Sequence, residues 1–262
     1  DKTAAEAQDL ATPELLIERI DELGTARAQN HYAVGWAHAM DTPYQWTKQV
    51  ASHFGGTRNG TIVHWPNAIK AKGELRSQFH HVIDVAPTIL EAAKLPHPTM
   101  VNGVLQEPLH GVSMVYSFDD PKAPERHETQ YFEMVCNRGI YHKGWTAVAR
   151  HGNLPWVVVG AQPSLADDVW ELYDTTKDWS QAHDLAKDMP EKVAELKRLF
   201  DLEASKYNVF PLDDRKAERT NPDISGRPSV VRGNTQLFFP GMRRMSENSV
   251  INIKNKSHAV TA

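Results

Sequence analysis

Between Thr42 and Pro66 the chain reads TPYQWTKQVASHFGGTRNGTIVHWP. Lys48, His53 and Arg58 bracket the pair Gly55-Gly56, and the run ends in the apolar stretch Thr61 to Trp65 before Pro66. A glycine pair lets the backbone take a positive φ or pass close to a ligand or another backbone. Apolar residues stopped by proline predict a buried strand over Thr61–Trp65. Cations and backbone N–H groups on a turn beside a dry wall reinforce one another around an anion, which makes this stretch a candidate anion site. The same pattern also describes an ordinary loop-to-strand junction with solvated charges, and short motifs often match by chance.

Other reactive side chains have quieter readings. Asp84 precedes Val85-Ala-Pro87 and sits where a helix N-cap belongs, with Pro87 in the first turn, where its missing N–H costs little. His80-His81 with Asp84 could be drawn as a metal site, but neighbouring side chains on a strand point apart. His31 and His38 lack the acid partner or His-x-x-x-His spacing of a metal site. The adjacent acids Asp119-Asp120, Asp167-Asp168 and Asp213-Asp214 read as caps and solvated turns. Cys136 is the single cysteine, so no intramolecular disulfide forms, and redox compartment is not readable.

The elements that must position these groups follow from composition and periodicity. With 262 residues, 40% hydrophobic and 24% charged, the chain can bury a sizeable core in one or two domains. A net charge of −4 argues against a general nucleic-acid binder but leaves room for a local cationic pocket. No run approaches the roughly 20 apolar residues of a membrane span, and the opening DKTAAEAQ is too polar to read as a signal peptide. Helices are predicted from Thr12-Pro13 through Leu23, and from Asp84 to Lys94. Phe79–Ile83 reads as a short strand. Residues 95–128 are rich in proline and glycine. Short strands are expected at Gln130–Val135, Gly139–His142, Trp145–Ala149, Trp156–Val159 and Val169–Tyr173, forming a small antiparallel sheet. Pro190 opens a longer helix with Val193, Leu196, Leu199, Phe200 and Tyr207 on its apolar face. From Pro211 a charged arm begins, followed by strand candidates at Leu237–Pro240, Ser249–Ile253 and His258–Val260.

Three segments together resemble successive landmarks of the sulfatase family, in the alkaline-phosphatase-like superfamily, with bacterial arylsulfatases the closest branch. They are Trp46 to Arg58, His80 to Leu90, and Trp170-Glu-Leu-Tyr-Asp174 followed by Asp184-Leu-Ala186; they occur in family order and span about residues 40–212. The resemblance implies an α/β fold. Residues 1–120 would be the C-terminal part of the sulfatase core, 121–212 an antiparallel-sheet subdomain with a packed helix, and 213–262 an arm leading toward a further β module. It implies hydrolysis of a small-molecule sulfate ester. In the family, a formylglycine nucleophile attacks sulfur and calcium neutralises the sulfate oxygens. Lys48 matches an active-site lysine, expected as a catalytic and substrate-binding cation. His53 is a second candidate that either contacts the leaving-group oxygen or packs. Arg58 reads as a tie between turn and sheet. The nucleophile motif, Cys/Ser-x-Pro-x-Arg, is not met by Cys136, which Arg138 and Ile140 follow at the motif's proline and arginine positions. Cys136 reads as a packed, inert thiol. The family's metal carboxylates have no match either, so no residue of this chain is expected to hold calcium, and this chain alone is expected to be inactive. The expected partner is the N-terminal half of a sulfatase, with no nucleic acid and no membrane. The alternatives are part of a phosphonate or phosphate monoester hydrolase, or a non-catalytic module that pairs with another chain.

Overall fold

The computed structural model describes residues 13–22, 25, 34–154, 157, 160–216, 218, 224, 231–242, 250–251, 253 and 256–261. Its centre is a four-stranded antiparallel meander: β3 (Thr129–Met134), β4 (Asn137–His142), β5 (Trp145–Ala149) and β6 (Trp170–Asp174), in that spatial order. Short hairpins flank it in sequence, β1 (Met100–Val101) with β2 (Val104–Leu105), and β7 (Val231–Arg232) with β8 (Thr235–Gln236). The helices are α1 (Pro13–Glu18), α2 (Val34–Asp41), the single turn α3 (Phe54–Thr57), α4 (Val85–Ala93) and α5 (Pro190–Lys206). The expected antiparallel sheet and long helix are therefore both present.

The pleat decides what each face of the meander holds. Pairings Tyr131↔Ile140, Ile140↔Ala147 and Ala147↔Leu172 place these residues in one row on one face. Pro190 starts α5 at its first turn, where its missing N–H is not needed. Leu196, Phe200 and Ala204 follow at four-residue spacing, one stripe of the helix, and pack with Ile140, Ala147 and Leu172 into the core. Burying each large apolar side chain here contributes about 1.5–3 kcal/mol. Side chains one position along each strand point the other way. Gly139 and Tyr141, Thr146 and Val148, and Glu171 and Tyr173 thus line the second face. On that face Tyr141 stacks on Phe79 at 3.8 Å, and the segment bearing Lys48 docks beside it.

Asp84 joins the loops beneath this second face. Helix α4 starts where expected, but the Asp84 side chain makes no capping bond to it. The carboxylate, 0% exposed, instead accepts from the amides of His81 (2.9 Å) and Val112 (2.8 Å) and from Nδ1 of His127 (2.8 and 2.9 Å). Burial alone would raise its pKa, but hydrogen bonds from His127, His80 and the two amides outweigh burial and hold the carboxyl far below the usual range. The simple cap reading is corrected: Asp84 closes a capping box with His81, the N-cap of the 3-10 turn Val82–Asp84 ahead of the helix, and pins three chain segments together.

Several local expectations fail where a neighbouring element is needed. Thr61–Trp65 is irregular, with Ile62 96% exposed, and no strand among the described residues lies beside it to complete its ladder. Phe79–Ile83 is likewise not a strand; Phe79 is held by its stack on Tyr141. Helix α1 forms, but Ile17 is exposed rather than packed. His258–Val260 and Leu237–Pro240 form no strand. Thr12, Leu23, Gly24, His31, Trp156, Val158, Val159, Ser249 and Asn252 lie outside the described residues. Exposed apolar side chains are frequent between positions 62 and 109, among them Leu75, Val82, Ile89 and Leu105. No helix of the described residues is long and apolar enough to cross a membrane.

Replacing Asp84 by Ala should destabilise the chain by about 3–5 kcal/mol, because buried donors lose their acceptor. The folded carboxyl lies below its unfolded value of about 4. Its contribution is therefore complete above that pH and is lost as pH falls toward the folded pKa. Urea unfolding as a function of pH should show the gap between wild type and Asp84→Asn closing on acidification below about 4; a gap independent of pH would contradict this account.

Candidate functional site

The segment from Tyr44 to Arg58 is built from consecutive tight turns. Trp46 and Gln49 take left-handed backbone conformations (φ 66° and 77°). The Val50 amide donates to the Thr47 carbonyl at 3.1 Å and the Gly55 amide to the Gln45 carbonyl at 3.0 Å. The glycine pair is explained by close approach, not by φ. A Cβ on Gly55 would lie 2.2 Å from the Trp46 carbonyl oxygen, and one on Gly56 would lie 2.1 Å from that of Val50. The fold leaves Val50, Ser52, His53 and Phe54 buried, while Lys48 is exposed on the outer turn.

The buried side of this segment is tied to the sheet through one glutamine. Gln181, from the loop after β6, is 0% exposed. Its side-chain oxygen accepts from the Phe54 amide (2.8 Å), its side-chain nitrogen donates to the Thr146 hydroxyl (3.0 Å), and its carbonyl accepts from the Gln45 side chain. Arg58 donates to the Trp179 carbonyl at 2.9 Å and lies over the Tyr44 and Phe54 rings. It ties the turn to the loop that follows β6 rather than to the sheet itself.

His53 is fully enclosed. Its Nε2 lies 3.0 Å from Glu171 Oε2 and its Nδ1 lies 2.9 Å from the Ser52 hydroxyl. A carboxylate only accepts, so Nε2 carries the proton and Nδ1 is left to accept from Ser52. The Tyr173 hydroxyl donates to the same Glu171 oxygen. Burial disfavours ionised Glu171, but hydrogen bonds from His53 and Tyr173, with the nearby charge of Arg150, outweigh burial and hold the carboxyl below the ordinary range. Burial, then Glu171, pushes the Tyr173 phenol upward.

The two residues expected at the site are thus separated by environment. Lys48 makes no hydrogen bond or ion pair with any described residue. His53 has both ring nitrogens engaged and presents neither to solvent. Its geometry suits holding the turn in place. His38 is exposed on α2. His80 lies 3.5 Å from Asp84, but no group of three or more His, Cys, Asp or Glu side chains among the described residues could hold a metal ion. Cys136 is buried in the turn between β3 and β4. Among the described residues these groups form neither a calcium cage nor a formylglycine site. Asp168 is not the solvated turn expected: its carboxylate is held by Arg138 and by His151 at 2.8 Å. Ser52, Glu171, Tyr173 and Gln181 carry the geometry, yet none was singled out from the sequence for a role. Strand alternation in Trp170–Asp174 could have placed Glu171 and Tyr173 on one face.

No family model matches the chain. A protein named as an uncharacterised sulfatase from Schizosaccharomyces pombe is 29% identical over 180 residues, covering 68% of this chain. Over this stretch the chain is similar to a sulfatase. It spans only 30% of that relative's length. Two solved structures share partial likeness. One, described under metabolism of multiple glycosaminoglycans by Bacteroides thetaiotaomicron, has TM-score 0.44 and 21% identity over 60% of this chain and 31% of its own. The other, a complex described with its substrate D-glucosamine-2-N,6-O-disulfate, has TM-score 0.40 and 21% identity over 59% of this chain and 30% of its own.

Replacing Gln181 by Met keeps its bulk but removes the acceptor for Phe54 N–H and the donor to Thr146. The loss should be about 1–3 kcal/mol, measured by urea unfolding. Amide exchange at Phe54 should accelerate more than at Leu172 in the sheet; equal acceleration at both would mean that the glutamine does not act locally on this turn.

Proposed function

We propose that this chain is part of a sulfatase-like hydrolase of small-molecule sulfate esters, and that Lys48 supplies a cation to its site. The observation that carries the reading is an ammonium with no hydrogen-bond or ion-pair partner among the described residues, displayed on a turn whose buried side is locked to a sheet. A lysine sealed in an ion pair would have nothing to offer an anion, and a lysine on a loose loop would spend affinity on ordering. Lys48 Nζ would donate to a sulfate oxygen and stabilise charge growing on the leaving phenolate or alkoxide. One preorganised contact of this kind commonly contributes about 3–4 kcal/mol to the transition state.

The nucleophile and calcium of such an enzyme would come from a further segment. The similarity to one stretch of a longer sulfatase supports this, as does the exposed apolar surface between positions 62 and 109. That segment would cover the apolar side chains and exclude water from the ester. His53 is assigned the positioning of the Lys48 turn.

The test is turnover of an aryl sulfate by this chain alone and by this chain combined with the polypeptide encoded upstream of Asp1. Turnover is expected only in the combination, and Lys48→Ala should lower it by about 10²–10³. Stability should change by less than about 0.5 kcal/mol, since the side chain is exposed and has no partner among the described residues. Turnover by this chain alone, or an undiminished rate in Lys48→Ala, would contradict the proposal. Preferential hydrolysis of a phosphate monoester would transfer the site to phosphoryl chemistry.

A further inference from the structure

A cleft of about 210 Å³ opens between residues 65–69 and 115–120, and no residue of the lysine turn lines it. Trp65, Ile69, Tyr116 and Phe118 supply its apolar lining, with Asp119 and Asp120 beside them. The apolar four are half-buried and the two acids exposed. Both sides of the cleft are tied down. The amides of Ala68 and Ile69 donate to the Trp65 carbonyl at 3.0 and 2.9 Å, and Val115–Ser117 forms a 3-10 turn. Arg76 donates Nη2 to the Phe118 carbonyl at 2.6 Å and Nε to that of Ser117. Asp119 Oδ1 accepts from the amides of Lys70 (2.8 Å) and Ala71 (3.1 Å) across the cleft. Asp120 Oδ1 accepts from the Lys122 amide at 2.9 Å. Each acid is thus fixed through one oxygen, and Oδ2 of each has no hydrogen-bond partner among the described residues. The Ala71 and Lys70 amides hold the Asp119 carboxyl below the usual range, so it is ionised at neutral pH.

Two fixed carboxylates on adjacent residues repel one another, and a cation shared between them relieves both. Nearby cations do not fill this role. Arg76 spends its donors on the carbonyls of Ser117, Phe118 and Leu75 and on Glu74. Lys70 is exposed, and its ammonium makes no hydrogen bond to either acid. Elsewhere the chain completes a similar wall from within: the Arg138 guanidinium lies 5.3 Å from the centre of the Trp170 ring and pairs with Asp168. Arg126 lies 4.5 Å over Tyr116 but is not a lining residue of the cleft. The rings of Trp65 and Phe118, with both acids beside them, have no such guanidinium among the described residues. A planar guanidinium suits this lining better than an ammonium. It stacks on aromatic faces, sheds water more easily and offers N–H groups to two acceptors at once. Size limits the rest of the ligand. A cavity of about 150 Å³ holds benzene, so this cleft takes one short apolar stem and not a drug-sized molecule.

We propose that the cleft between Trp65 and Asp120 is a binding site for a guanidinium group on a short apolar stem, with Asp119 and Asp120 as its acceptors and Trp65 and Phe118 as its stacking walls. An arginine side chain of another polypeptide and a free guanidino compound share this chemistry. The site is independent of the sulfate-ester reading and stands or falls without it.

The probes are butylguanidinium, its neutral isostere butylurea, butyltrimethylammonium, which has charge but no N–H, and the peptide acetyl-Gly-Arg-Gly-amide. Each is titrated into the full chain while the Trp65 indole N–H resonance, assigned with Trp65→Phe, is followed by NMR. Butylguanidinium should shift it saturably, with a Kd of about 1 mM. Butylurea and butyltrimethylammonium should each bind about fivefold more weakly or worse. Asp119→Asn and Asp120→Asn should each weaken butylguanidinium by about threefold to tenfold. Both replacements keep an oxygen for the backbone amides, so the cleft stays tied. Phe118→Leu should weaken it as well, by removing one stacking wall. Tighter binding of the peptide than of butylguanidinium would name a polypeptide arginine as the source, and weaker binding a free guanidino compound; either result supports the site. No saturable shift with butylguanidinium up to about 20 mM, equal binding of butylurea or butyltrimethylammonium, or unchanged affinity in both aspartate variants would overturn it.

Discussion

The amide of Phe54 rests on the side-chain oxygen of Gln181, and the arrangement of the lysine turn depends on that bond. Both groups are buried, so the alternative to the bond is not a bond to water but an unmet donor, at a cost of about 1–3 kcal/mol. The same glutamine reaches Thr146 on β5 and Gln45 at the start of the turn. His53 adds a second attachment through Glu171 on β6. Between them, the two attachments leave the inner wall of the turn no freedom to rotate away from the sheet. The outer wall then presents Lys48 from a fixed base. Glycine at 55 and 56 is a condition of this arrangement, since any Cβ would meet a backbone oxygen at close to 2 Å.

One sheet serves two purposes because its side chains alternate. Ile140, Ala147 and Leu172 face α5 and make the core, while Thr146, Glu171 and Tyr173, one residue along, face the candidate site. A one-residue slip in register would exchange the two sets, burying the Glu171 carboxylate against the helix. The packing of Leu196 and Phe200 thus protects the site's geometry at a distance. On the same side as the lysine turn, the Asp84 cluster secures the loops that lead toward Phe79 and His127, and Phe79 stacks back on Tyr141 of β4.

Much of this was legible in the sequence where the signal is local. The alternation from Gln130 to Tyr173 and the four-residue stripe after Pro190 need only nearby residues to be read, and both elements formed where expected. The glycine pair announced a close approach, and Arg58 was read as a tie. Legibility ended where a distant partner decides the outcome. His53 reads equally as a contact to a leaving group or as a packed side chain until Glu171, 118 positions away, claims its Nε2, and Phe54 meets Gln181 across 127 positions. Asp84 carried a sound local reading as a helix cap, but His127 and Val112 offered a buried carboxylate more hydrogen bonds than the helix could. Thr61–Trp65 has the composition of a buried strand but no strand beside it among the described residues. Propensity alone does not satisfy its backbone groups.

The central claim is that the Lys48 ammonium touches the anionic group of an ester while the buried wall of its turn stays fixed. A crystal structure of this chain assembled with its completing segment and a non-hydrolysable aryl sulfamate tests it most directly. The account predicts Lys48 Nζ at about 3 Å from a sulfamate oxygen, with the Phe54–Gln181 and His53–Glu171 bonds retained. An ammonium left in solvent while the sulfamate binds elsewhere, or a turn detached from Gln181, would contradict it.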